Sequence, residues 1–534
     1  MAKRFASIFF ITLGVALACV TVFVLVLFLA PGLSIFGIKY IARGTHVINE
    51  TCLIADKMEG GDFSGSIRLE VEDVPVQVVF SQRFVYQVEY YDNYNGLTRS
   101  KFDDPSIDFE KEADGTAVIK ITSFKKFIYE NANSNRYIKL IIPATRVGGT
   151  DAGKTNLTIL SKTSPVHFYD EVDDNRDPVF SNLYIETYGK IKTSTKVYAT
   201  NYTLKTINAI NIKAGEKESI NATNYNLTST GGKIVVNRDV AGDIVATTNN
   251  ARIQILSCMN FTANSGYGDV YSANPEKGIV INGSANITTT AGIVTIESIL
   301  GEAQKSTIKT KTGNVTIKQA KDIEVNTTRG FVKINVANSS AISTSSGNVT
   351  VESSNSDITV KSKRGKVTLG GESNIMHNPT VETTFGKVSI VSASGTVKVD
   401  TVKADVDFVN ASASNVTMNV GGNLNASKLD GSVDIEVEGN ANIDFARFDQ
   451  KSSIVGKGEK STITVKLLNT VNTEFSYNLQ GNDASLFEYN VEDNQNHFQI
   501  ARSTSLVSSA EMVGKPLLTV SNKGRVVVYY KRSV

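Results

Sequence analysis

Three carboxylates at alternate positions, Asp434, Glu436 and Glu438, are the residues of this chain best spaced to do chemistry. They interleave with Val433, Ile435 and Val437, and on a β-strand that alternation places all three acids on one face. Asp405 and Asp407 repeat the arrangement around Val406. Stacked on neighbouring strands, such acids could form a carboxylate pair for glycoside cleavage or a Ca²⁺ site. The ordinary reading is a solvated strand face, with Lys398, Lys403 and Lys428 close in sequence as balancing charge. No catalytic residue is assigned on this pattern, and Asp434, Glu436 and Glu438 are kept as surface-contact candidates.

Other groups are weaker. Asp170, Asp173, Asp174 and Asp177 could supply oxygen ligands to Ca²⁺, but the stretch lacks the glycine and regular spacing of an EF-hand loop. A solvated junction loop is the preferred reading. Tyr86, Tyr90, Tyr91 and Tyr94 crowd one expected hairpin, where they could stack on a sugar or a partner surface or simply pack across strands. The four histidines, His46, His167, His377 and His497, are too scattered for metal-ligand spacing, and Cys19, Cys52 and Cys258 are too few for a disulfide framework. No phosphate-binding loop, nucleophile elbow or dinucleotide fingerprint is present, so neither cofactor nor metal is expected. A net charge of +2 gives no basic footprint for nucleic acid, and the absence of Trp argues against a sugar-processing cleft. Asn-x-Ser/Thr triplets recur, among them Asn156, Asn201, Asn314, Asn326, Asn348 and Asn415. They are glycosylation candidates if the chain is secreted by a eukaryote and incidental otherwise.

The elements that position these residues are legible from a repeat. Gly292 leads Val294 and Ile296, Gly313 leads Val315 and Ile317, and Gly330 leads Val332 and Ile334. Gly347, Gly365 and Gly386 continue the series, 17 to 21 residues apart. That period fits one turn of a coiled β-structure, whose apolar face is covered only when turns stack. Glycine is expected at the bend that opens each strand. Ile67 to Glu72 alternate with period two and predict a half-buried antiparallel strand; Asn93 to Gly96 are expected to turn a hairpin. Near the C-terminus Asn522-Lys523-Gly524 carries a hairpin signal.

From Phe5 to Ile38 no residue is charged, and residues 8–29 are long enough to span a bilayer core of ~20 residues. The segment is read as an uncleaved single-pass anchor. A cleaved signal peptide and a lipoprotein site at Cys19 are the competing readings. The expected organisation is an anchor over 1–44, a small antiparallel β domain over 45–190 that caps the coils, a β-solenoid over 191–448, and a β cap over 449–534. The fold class is all-β with one transmembrane helix.

The Leu140-Ile141-Ile142-Pro143 strand, followed by units such as Thr290-Ala291-Gly292, Thr328-Arg329-Gly330, Ser345-Ser346-Gly347 and Thr384-Phe385-Gly386, resembles the bacterial "putative adhesin" domains. Those are β-solenoids often found behind a membrane anchor. The resemblance covers roughly residues 135 to 440 and brings no catalytic motif with it. It implies a non-enzymatic, surface-displayed adhesive or envelope-structural protein on the cell membrane. Its partners would be the membrane, through the N-terminal helix, and ligands on host or neighbouring cells or polysaccharide. The alternatives are a self-associating envelope scaffold and a polysaccharide-active enzyme.

Overall fold

The structure is a computed structural model. It describes residues 2–29, 34–35, 38–39, 42–57, 63–81, 85–98, 106–122, 129–130, 135–143, 155–170, 180–193, 199–213, 224–274, 276, 278–371, 374–467, 475–492, 497–507 and 515–533. Apart from the helix Ala2–Leu29 and a single turn at Ile54–Lys57, the regular structure is β. The described chain divides into two compact units, Met1–Lys233 and Ile234–Val534.

In the first unit the strand Ile67–Val71 lies between Ala117–Ile121 and Thr155–Ser161 and is parallel to both. Val76–Ser81 likewise lies between Asn135–Pro143 and Val166–Asp170, parallel to both. The antiparallel expectation for residues 67–72 is therefore corrected. Alternation reports which face is buried and carries no information about a neighbour's direction. Among the described residues of this unit the antiparallel pairs are Ser34–Ile35 with Ile38–Lys39, Ile107–Lys111 with Ala117–Ile121, and Gln87–Thr98 with each of Ala42–Leu53, Tyr129–Glu130 and Asn135–Pro143. Gln87–Thr98 is continuous, so no hairpin turns at 93–96; Gly96 instead pairs across to Gly44. From residue 155 the strands add in sequence order. Thr155–Ser161, Phe180–Thr187, Ala199–Thr206 and Asn224–Ser229 form one parallel ladder. Leu157, Leu183, Tyr202 and Tyr225 make one buried column, with the last two rings stacked 4.8 Å apart.

In the second unit Val294, Val315, Val332, Val349, Val367, Val388 and Val406 stand in register, one per turn of chain. Two residues on, Ile296, Ile317, Ile334, Val351, Leu369, Ile390 and Phe408 form a second column, and both are fully buried. Each such side chain contributes roughly 1.5–3 kcal/mol, and only its neighbours in the stack supply the cover. The parallel strands alternate instead of being apolar throughout because their second face stays in water.

The unit ends out of sequence order. Leu517–Asn522 lies between Ser452–Gly456 and Ser476–Glu492, and Arg525–Ser533 lies between Thr462–Leu467 and Ser476–Glu492, all parallel. The hairpin expected at 522–524 is a corner instead, since its two flanking strands join separate ladders. Asn522 closes that corner, its Nδ2 donating to the carbonyls of Ser461 at 2.9 Å and Arg525 at 2.8 Å. The antiparallel pair of this region is Ser476–Glu492 with His497–Val507.

The N-terminal helix has described side chains over residues 8–23. Among the described residues no helix is long and apolar enough to cross a membrane, so the expected span over about 8–29 is not shown.

Candidate functional site

The corners of the second unit show where the repeat residues are spent. The backbone N–H of Gly347 donates to Thr344 Oγ1 at 2.9 Å. Gly292, Gly313, Gly330 and Gly386 donate in the same way to Thr289, Thr310, Thr327 and Thr383. These threonines are buried, so each satisfies a donor that water cannot reach. The glycines follow a rule other than the expected bend: none of the five has positive φ. A β-carbon on each would instead meet the carbonyl oxygen of the glycine one turn earlier, at 1.7 to 2.0 Å. Asparagine after the glycine closes the other side of the corner. Asn314 Oδ1 accepts from the Phe331 N–H at 3.1 Å, and Asn348 Oδ1 from the Lys366 N–H at 3.0 Å.

The outward carboxylates are tied to the neighbouring turn. Lys318 pairs with Glu297 at 2.8 Å, Lys333 with Glu352 at 3.0 Å, and Lys361 with Glu382 at 2.8 Å. A hydrogen bond from Lys305 holds the Glu324 carboxyl below its usual range.

The acids best spaced for chemistry, kept as surface-contact candidates, follow the same pattern. Val433, Ile435 and Val437 are buried, and Asp434 and Glu436 face out, as alternation requires. Asp434 stands between Thr417 and Ser453 in the ladder; Glu436 stands between Asn419 and Val455 and is paired with Lys457. Glu438 lies one residue past the strand Ser432–Val437. Asp407 sits on a different ladder, between Ser389 and Asn425. Burial alone would raise its carboxyl, but Lys387 at 2.5 Å and the Asn425 amide at 3.2 Å hold it low. Asp405 caps the Asn423 N–H at 2.7 Å. The two acid sets thus stand on separate ladders, and the carboxylate pairing weighed for them does not form. Among the described residues no group of three or more His, Cys, Asp and Glu side chains is placed to hold a metal.

Tyr90 is buried, and Tyr91 stacks on Tyr137 with centroids 5.3 Å apart. The Tyr94 side chain, the Asp170 side chain and residues Asp173, Asp174 and Asp177 lie outside the described residues. Asn415 is exposed, and Asn326 donates to Glu324 at 2.8 Å. Asn156 and Asn201 belong to a ladder in the first unit. Asn182 Nδ2 donates to Asn156 Oδ1 at 2.8 Å, Asn201 to Asn182 at 3.1 Å, and Asn224 to Asn201 at 3.0 Å. The sequence carried a signal for it: Asn156-Leu-Thr-Ile, Asn182-Leu-Tyr-Ile, Asn201-Tyr-Thr-Leu and Asn224-Tyr-Asn-Leu share one pattern.

Beside that ladder a cleft of about 600 Å³ opens at the carboxyl ends of Ala117–Ile121, Ile67–Val71, Thr155–Ser161 and Phe180–Thr187. Leu160 contributes apolar surface over the buried Val71 and Ile121, and Tyr188, 57% exposed, stands at its side. Its cations are paired, Arg68 with Glu70 at 2.8 Å, Lys120 with Glu110 at 2.6 Å and Lys162 with Glu72 at 2.8 Å. Sequence reasoning missed this cleft because its residues come from four segments that only the parallel stacking brings together.

No family model matches the chain, and no curated protein matches it in sequence. Among solved structures, one described as a "putative cell adhesion protein" from Clostridium sporogenes ATCC 15579 is similar over 47% of this chain and 98% of its own, at 8% identity and a TM-score of 0.21. No specific adhesin family is supported by these comparisons.

Proposed function

We propose that the chain is a β-solenoid held at a membrane by its N-terminal helix and displayed outside the cell, where it serves as a non-enzymatic adhesive or envelope-structural element. The observation that carries this reading is the use of the outward polar groups. The lysine–carboxylate pairs named above, the Asn156–Asn224 ladder and the corner amides bind one turn to the next. Such a surface is stiff, repetitive and polar, suited to many weak contacts multiplied by avidity. The anchor is supported by Ile8, Phe9, Phe10, Ile11, Val20 and Val22, all more than 60% exposed on the helix. An apolar helix with no protein cover is favourable only in an apolar medium.

Protease shaving of intact cells carrying a C-terminal epitope tag tests the reading. Loss of the tag with retention of a short membrane-bound stub is the expected result. Full protection of the tag in intact cells, with cleavage after lysis, would refute outside display.

A further inference from the structure

We propose that the cleft bounded by the carboxyl ends of the four strands in the first unit binds a neutral oligosaccharide. The inference goes beyond the adhesive reading, because it concerns one site and holds whichever side of a membrane the chain occupies. The cleft volume, about 600 Å³, lies within the range of sites that enclose a small ligand and suits a few sugar rings.

Charge decides the ligand class. Arg68, Lys120 and Lys162 line the cleft together with Glu70, Glu72 and Glu186, so the cations and carboxylates of the wall balance. Each of the three cations already has a carboxylate within 2.8 Å. An anionic polymer would have to break those pairs, and a cationic one would gain no surplus of carboxylate. Sugar hydroxyls need neither: each donates to a carboxylate oxygen and accepts from an ammonium or guanidinium without displacing the resident partner. The apolar patch of Leu160, with Tyr188 exposed beside it, suits the C–H face of a pyranose, which stacks on aromatic and aliphatic carbon.

Continuity of the surface points the same way. Glu186 accepts a hydrogen bond from Tyr184, whose ring lies 5.0 Å from Lys205 Nζ. Tyr184 follows Asn182 of the amide ladder by two residues on the same outward face. Within the ladder Asn182 and Asn201 each spend one amide hydrogen on a neighbour, and an amide carries two. A chain of sugars leaving the cleft would therefore pass onto a face that still offers donors.

The test is isothermal titration of the full chain in detergent with cellohexaose, xylohexaose, mannohexaose and chitohexaose, and with hexagalacturonate as the anionic comparator. At least one neutral hexasaccharide should bind. Tyr188→Ala should weaken that binding about tenfold, the loss that one aromatic contact carries. Glu186→Gln should also weaken it, and Tyr267→Ala, an exposed tyrosine of the second unit, should leave it unchanged. Circular dichroism establishes that each variant is folded; should Tyr188→Ala fail to fold, Glu186→Gln decides alone. Absence of binding by every neutral probe at millimolar concentration, tighter binding of hexagalacturonate, or binding indifferent to the cleft substitutions would overturn the proposal.

Discussion

A β-carbon on Gly347 would lie 1.7 Å from the carbonyl oxygen of Gly330, one turn earlier in the stack. The backbone of both glycines is fixed by flanking ladders, where Val332 pairs with Val349 and Val349 with Val367. Neither can withdraw without opening hydrogen bonds on both sides. Gly347→Ala should therefore destabilise the second unit by about 3 kcal/mol, at the upper end of ordinary overpacking. Gly371→Ala is the control, since its nearest neighbour is a side-chain atom at 3.6 Å. Chemical denaturation of the two variants checks the contrast; equal stabilities would mean that the glycine column is dispensable.

Thr344 tests the other half of the corner. Its hydroxyl accepts the Gly347 N–H at 2.9 Å and the residue is 6% exposed. Thr344→Val keeps the shape and removes the acceptor, leaving a buried donor unpaired at a cost of about 1–3 kcal/mol. Thr344→Ser keeps the oxygen and should recover most of that loss. If valine and serine behave alike, packing rather than the hydrogen bond explains the threonine.

These two residues also show what the sequence made legible. The glycine period and the Val-x-Ile alternation predicted strands, buried faces and a one-turn repeat, because burial on one side leaves a period-two trace. The reason for glycine was not legible, since the atom it avoids lies on another turn. The threonine three residues before it was hidden for a related cause: a hydroxyl serving a backbone donor looks like any polar strand-end residue. Strand direction was wrong at 67–72, where pairing depends on segments beginning 50 and 88 residues later, at 117 and 155. Asn522-Lys523-Gly524 misled because a tight turn fixes a change of direction and leaves the partner of each flanking strand open. Among the candidate site residues, the outward placement of Asp434 and Glu436 followed from alternation. Their separation from Asp407 needed the register. The cleft needed the topology of the whole first unit.

Cys258 makes the second unit sensitive to alkali. Burial, with a smaller contribution from Asp243, pushes its thiol from an ordinary 9.0 up to about 12. The folded state therefore holds a proton that the unfolded chain has already lost above pH 9. The stability linked to this group is complete below pH 9 and declines as pH rises towards 12. Between about pH 8 and about pH 10 the loss should be on the order of 1 kcal/mol. The difference between the native chain and Cys258→Ala isolates it from other alkaline titrations: the variant should lose that much less over the same interval. Parallel pH profiles would show that the thiol is not buried as described. Its alkylation by iodoacetamide should also require unfolding, because the thiolate is the reactive form.

The C-terminal strands act as the attachment of the end hairpin. Among the described residues, Ser476–Glu492 pairs only with Leu517–Asn522, Arg525–Ser533 and its own hairpin partner His497–Val507. Removing residues 517–534 takes away both strand pairings that join it to the stack and leaves Ser452–Gly456 and Thr462–Leu467 without a strand neighbour on that side. Loss of protection should therefore spread to residues that were not deleted. Hydrogen exchange followed by mass spectrometry should show protection lost in 476–507 and reduced in 452–467, while Val294–Ile299 and its neighbours exchange as before. The exposed edge offers unpaired backbone groups, so the truncated chain should also associate with rising concentration where the full chain does not. If 476–507 keeps its protection, the hairpin must dock directly on the earlier strands, and the out-of-order insertion of the last strands would not be what holds it.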